Sequence, residues 1–152
     1  MDAVTYPNEQ VIEFINQNLI PLRVLSDQQP LAKDFNIQWT PALLILGREG
    51  KEHSRTVGFL SGDELIPSLL LGMGKGYADN DEFKDALRCF DRLLAEYPGS
   101  DSAPETMFQR GVALYKSTHD PKPLKEAYNQ LQDKYPGTQW TKRAYPYRLI
   151  GD

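Results

Sequence analysis

Apolar residues at Val11, Ile12, Phe14, Ile15 and Leu19 follow the helical period, and Pro7-Asn8 just ahead supplies a start signal, so the chain is expected to open on an amphipathic helix. Leu22 to Leu25, rich in branched residues, reads as a short buried strand, and Asp27 to Phe35 as a short helix or turn with Leu31 and Phe35 facing inward. Ala42-Leu43-Leu44-Ile45-Leu46 has strand length and no polar position, the pattern of a strand buried on both sides. Gly47-Arg48-Glu49-Gly50 turns the chain, and His53 to Phe59 is expected to return antiparallel as a hairpin with His53 on its solvent face.

Beyond Ser61 the period is helical throughout. Ser61 and Glu64 are spaced as a capping box, and the helix they announce would turn Leu65, Leu69, Leu70, Met73 and Tyr77 inward, with Pro67 kinking it or delaying its regular start. Phe83, Ala86, Leu87, Phe90, Leu93, Leu94 and Tyr97 form one broad stripe closed by Pro98-Gly99. Ser102 and Glu105 repeat the capping-box spacing ahead of Met107, Phe108, Gly111, Leu114 and Tyr115. Asp120-Pro121 starts another helix, carrying Leu124, Ala127, Tyr128 and Leu131 and ending at Pro136-Gly137. A short last helix would hold Trp140 and Tyr145, limited by Pro146.

Two of these helices repeat. Phe90, Leu93 and Tyr97-Pro98-Gly99-Ser100 recur 38 positions later as Tyr128, Leu131 and Tyr135-Pro136-Gly137-Thr138. A constant offset over six matched positions points to a helix-pair repeat. The first unit resembles the tetratricopeptide pattern, with Leu70, Met73, Gly74 and Tyr77 on one helix, Ala86, Phe90 and Leu93 on the next, then Pro98. Gly111 and Tyr115 take the corresponding roles in the second unit, where Leu124 stands in place of the usual alanine. Ser117-Thr118-His119-Asp120 accounts for about four residues beyond the usual period of 34. Two units and an end helix make a minimal array, expected to lean on the preceding residues for its cap.

Composition narrows the function. The net charge of −4 is spread over scattered Lys and Arg, so nucleic acid is not expected as a partner. The apolar stretch from Leu65 to Met73 is broken by Pro67, Ser68 and Gly72 and is too short to span a bilayer, so no membrane contact is expected. Neither a cationic segment nor an apolar h-region follows Met1, and the single Cys89 suits a reducing compartment, so a cytoplasmic location is expected. Cys89 is expected to be a structural, unreactive thiol. His53 and His119 lack partners at metal-ligand spacing, so no metal site and no cofactor are expected. Gly72-Met73-Gly74-Lys75-Gly76 falls inside a helical stripe, where packing explains it better than phosphate binding. Lys122, Lys125, Lys142 and Arg143 with Tyr145 and Tyr147 make the C-terminal part locally basic, as a solvated face or an acidic-partner contact would.

Residues 11 to 73 also resemble the latter part of a thioredoxin domain. The resemblance lies in Phe35-Asn36-Ile37-Gln38-Trp39-Thr40-Pro41, the apolar strand after it, Gly50-Lys51, the return strand, Val57-Gly58-Phe59-Leu60-Ser61 and a last helix, all in that family's order. It implies an α/β part followed by an all-α part: a partial thioredoxin-like domain over residues 1–73, and tetratricopeptide-like helix pairs over 62–152 that share the helix at 62–78. It further implies a cis bond before Pro41, and that Trp39, Thr40 and Pro41 contact an extended substrate peptide. Trp39 reads equally well as a buried packing residue. The family's Cys-x-x-Cys, which activates a thiol at a helix N-terminus, has no counterpart in these residues. It would fall just before Met1, which is therefore expected to be an internal methionine of a longer thiol-disulfide oxidoreductase. No residue present is expected to be catalytic. The expected function is a protein- or peptide-binding adaptor of thioredoxin lineage, with an active oxidoreductase or a purely structural repeat protein as the alternatives. Protein or peptide clients are the expected partners, and exposed strand edges invite homo-oligomers.

Overall fold

The computed structural model describes residues 1–28 and 30–151. The element order is α1 (Glu9–Asn18), α2 (Leu31–Asp34), β1 (Ala42–Leu46), β2 (Glu52–Val57), α3 (Gly62–Asp79), α4 (Phe83–Glu96), α5 (Ala103–Thr118), α6 (Lys122–Lys134) and α7 (Gln139–Ala144), closed by a 3-10 turn at Tyr145–Leu149. The protein is mostly helical, with one two-stranded antiparallel sheet among the described residues.

Asn8 begins α1 as the local sequence suggests, its side-chain oxygen accepting from the Gln10 and Val11 amides. Val11 and Phe14 are the residues that α1 buries, and they join Leu65, Leu69, Leu70, Phe90 and Leu93 in one continuous core. Thr5, fully buried, donates through its hydroxyl to the Leu60 carbonyl at 2.6 Å and fastens the N-terminal turn to the start of α3. The axis of the fold is α3. It packs against α4 on one side and against the hairpin on another, and Pro67 is accommodated inside it without ending it.

The glycines of α3 explain how one helix serves two neighbours. A side chain at Gly72 would strike Ile45 and Ser54 of the hairpin, one at Gly76 would only touch His53 at ordinary contact distance, and one at Gly74 would occupy the space of the Phe90 ring on α4. Packing, not phosphate binding, is what this glycine series does.

Several expectations are corrected. Residues 22–25 form no strand; they run exposed, with Ile20 at 98% and Leu22 at 79% of full exposure. A strand exists through its ladder, and among the described residues β1 and β2 pair only with each other. Nor is β1 covered on both faces: Leu43 and Ile45 pack on the core, whereas Leu46 at its end is exposed. In α2 it is Ala32 that is buried, while Leu31 and Phe35 are only half-buried.

His53 is the fourth correction. Its side chain is only 3% exposed, and Nδ1 lies 2.7 Å from Asp79 Oδ2 at the end of α3. The register supplies the reason. Ile45 pairs with Ser54 but Leu46 pairs with Glu52, so His53 is the extra residue of a bulge. Strict alternation would put it with exposed Arg55 and Val57; a bulge re-aims one side chain, here onto Gly76 and Asp79.

The two capping boxes are not made either. Ser61 and Ser102 precede their helices without capping through their side chains. Glu64 instead accepts from the Asp101 amide, and Glu105 pairs with Lys75 at 3.0 Å, so both carboxylates bridge α3 to the start of α5. At the second inter-helix loop, Asp120 accepts from the Lys122 amide at 3.0 Å as a starting residue should.

The helix pairs α3–α4 and α5–α6 share their details. Tyr97 and Tyr135 end α4 and α6 with nearly equal backbone angles (φ −131°, ψ 48° and φ −133°, ψ 52°), each amide bonded to the leucine four residues back. Gly111 repeats the close approach of Gly74, with a Cβ there falling 2.6 Å from that of Ala127. The Tyr135 hydroxyl donates to the Pro98 carbonyl at 2.7 Å, tying the end of one pair to the end of the other.

Candidate functional site

The loop from Phe35 to Pro41 is held at both ends and free in the middle. At its start the Ile37 amide bonds to the Ala32 carbonyl at 2.8 Å, and Asn36 takes a left-handed conformation (φ 47°) that lets α2 end there. Arg55, on the outer face of β2, donates to the Phe35 carbonyl at 2.6 Å and grips Glu52 with two hydrogen bonds at 2.6 and 2.7 Å. The hydrogen bond from Arg55 holds the Glu52 carboxyl below its ordinary pKa. At the other end, the Gly58 amide bonds to the Pro41 carbonyl at 2.9 Å, and the Thr40–Pro41 bond is cis.

Between these anchors Trp39 and Thr40 stand clear. The indole is 75% exposed, which excludes the reading of Trp39 as a buried packing residue. Neither its backbone nor that of Thr40 makes a hydrogen bond among the described residues. Beside the indole lies a cleft of about 220 Å³ lined by Asn36, Gln38, Trp39, Ala42, Arg55 and Val57. Val57 and Phe59 are exposed next along the chain. The three expected site residues therefore sit together on one surface loop that offers an aromatic face and unpaired peptide groups.

Cys89 is elsewhere, buried on α4, and burial pushes its thiol above the ordinary pKa despite Arg88 beside it. No group of three or more His, Cys, Asp or Glu able to hold a metal occurs among the described residues. None of the helices described is long and apolar enough to cross a membrane.

A second cleft, of about 200 Å³, was not legible in the sequence. It lies where β2 meets the first helices of the two pairs, with Ser54, Thr56, Ser68, Lys75 and Glu105 among its walls. Its polar groups largely satisfy one another, Thr56 with Ser68 at 3.2 Å and Lys75 with Glu105, so the hairpin closes this end of the array as a polar seam.

Gly74 of α3 lies against the Phe90 ring, a short turn joins α3 to α4, and Tyr97-Pro98 ends α4. Residues 68–100 match the tetratricopeptide repeat. The match runs from the first third of α3 through α4 to Ser100, and covers the Gly74–Phe90 contact. The pair α5–α6 lies beyond the matched residues, and the Trp39–Pro41 loop lies before them. No curated protein and no solved structure gives a significant match to the chain. A tetratricopeptide repeat points to protein binding, since such helix pairs present an extended surface to partners.

Proposed function

We propose that the chain is a protein-binding adaptor of thioredoxin lineage, in which the loop Trp39-Thr40-Pro41 grips an extended segment of a client while the tetratricopeptide-like pairs orient it. The observation that carries this reading is the unpaired Trp39 and Thr40 backbone beside an exposed indole. Extended peptides are held by main-chain hydrogen bonds for affinity and by side-chain pockets for selectivity, and the Asn36–Arg55 cleft is such a pocket. The lineage is supported by element order: the Thr-Pro loop, β1, a glycine turn, antiparallel β2, Gly58 and then α3. On this reading residues 1–73 and 62–152 are two parts that share α3, and the dithiol of the parent oxidoreductase lies outside these residues. With Cys89 alone there is no second thiol to resolve a mixed disulfide, so the chain itself is a binder and not a redox catalyst.

The test is the affinity of a fluorescein-labelled, extended apolar octapeptide, read by anisotropy. Trp39→Ala should weaken it at least tenfold with the fold intact by circular dichroism. Unchanged affinity would remove the loop from the function. Turnover in an insulin-reduction assay would overturn the adaptor reading.

A further inference from the structure

The end of the array differs in charge and chemistry from the rest. Residues 116–152 carry seven Lys and Arg against four Asp and Glu, whereas residues 1–115 carry ten against seventeen. Of the ten cations in residues 1–115, Arg23, Lys51, Arg55, Lys75, Arg88, Arg92 and Arg110 have a carboxylate partner, and Lys33, Arg48 and Lys84 have none among the described residues. Lys142, Arg143 and Arg148 have none among the described residues.

The two arginines are held by aromatic rings instead. Arg143 lies over Trp140 at 4.6 Å from the ring centre, and Arg148 over Tyr145 at 3.7 Å. Those rings are themselves braced, Trp140 against Phe108 at 5.3 Å and Tyr145 against Tyr128 at 6.2 Å. A guanidinium stacked on a ring keeps its in-plane N–H groups pointing outward, a flat fork that matches a carboxylate. Arg143 donates no hydrogen bond among the described residues, and Arg148 donates one, to the Tyr145 carbonyl at 3.3 Å. Holding the side chains in place beforehand lowers the ordering cost of binding. Tyr145, half exposed, and Leu149, 75% exposed, add apolar surface beside the charge.

We propose that α7 and the turn after it form a docking surface for an acidic polypeptide segment bearing an apolar residue, with Arg143 and Arg148 as the carboxylate forks. Charge selects this occupant: uncompensated cations are complementary to acidic chains, while residues 1–115 are net negative and would repel a similarly acidic partner elsewhere. The surface is separate from the Trp39 loop and does not depend on it.

The probe is a fluorescein-labelled decapeptide of Glu and Asp with one central Leu, followed by anisotropy on the whole chain at low and high salt. Binding should be at least tenfold tighter than that of the matched Lys peptide, should weaken as salt rises, and should fall at least tenfold in the double variant Arg143→Glu/Arg148→Glu. Both side chains are exposed, so the fold should persist by circular dichroism; if it does not, Arg143→Gln and Arg148→Gln singly should each weaken binding. Arg48→Glu, in the hairpin turn, should leave it unchanged. Equal binding of acidic and basic peptides, or of the double variant and the native chain, would overturn the proposal. So would capture of anionic vesicles without the peptide, or a salt-sensitive self-association abolished by Arg143→Glu, which would assign the surface to a lipid or to a second copy.

Discussion

The ring of Phe90 fills the space that a side chain on Gly74 would need, so each residue fixes the identity of the other. Phe90 is fully buried and cannot swing out to make room. Phe90→Ala should cost about 3–5 kcal/mol by the loss of buried ring and the cavity left behind. Gly74→Ala should cost about 1–3 kcal/mol by overpacking. The pair should be strongly non-additive, with Gly74→Ala partly tolerated once the ring is gone. Chemical denaturation of the four variants measures this, and additive losses would mean that the two helices do not meet here.

Tyr135 offers a second test. Its hydroxyl donates to the Pro98 carbonyl, and burial raises its pKa, as it does for Tyr6, Tyr97 and Tyr147 and for the thiol of Cys89. A group whose folded pKa is raised binds its proton more tightly when folded, so its stabilisation is intact below the ordinary thiol and phenol range of about 8.5–10 and is lost as pH climbs through the folded values. Stability should therefore fall on the alkaline side. Tyr135→Phe should lower stability near neutrality by about 0.5–1.5 kcal/mol and flatten that alkaline fall. Thermal melts at pH 7 and at pH 10 give both readings.

Cys89 should resist modification. Burial both shields the thiol and suppresses its thiolate, so iodoacetamide should label the native chain far more slowly than the chain in denaturant. Mass spectrometry of the two time courses decides. Equal rates would place Cys89 at the surface.

Self-association should follow from the short sheet. An unpaired strand edge with an apolar neighbour invites edge-to-edge pairing, and the exposed run near Ile20 and Leu22 adds to it. Sedimentation should show a concentration-dependent species that Leu46→Lys, an exposed change at the end of β1, diminishes. A cleanly monomeric chain at high concentration would refute this.

The helices were legible because their apolar stripes are long and regular, and the repeat was legible through an exact offset at Tyr97 and Tyr135. Residues 22–25 misled because branched residues state a preference for extended backbone, while a strand also needs a neighbour that no local pattern reports. His53 misled because a single extra residue in β2 inverts the side it faces, and sequence alternation does not register a bulge. Glu64 and Glu105 have capping-box spacing, but each finds a partner across the fold, with the Asp101 amide and with Lys75. The loop residues Trp39, Thr40 and Pro41 are singled out by resemblance alone; the exposure of the indole, which removes its packing role, needed the fold.

The most direct measurement of the proposed role is a nitrogen-15 chemical-shift titration with an unlabelled extended apolar peptide. The account predicts that the largest shifts fall on the amides of Trp39 and Thr40, the Trp39 indole and the adjoining residues of β1. No shift there, or shifts confined to the helices from α4 onward, would contradict it.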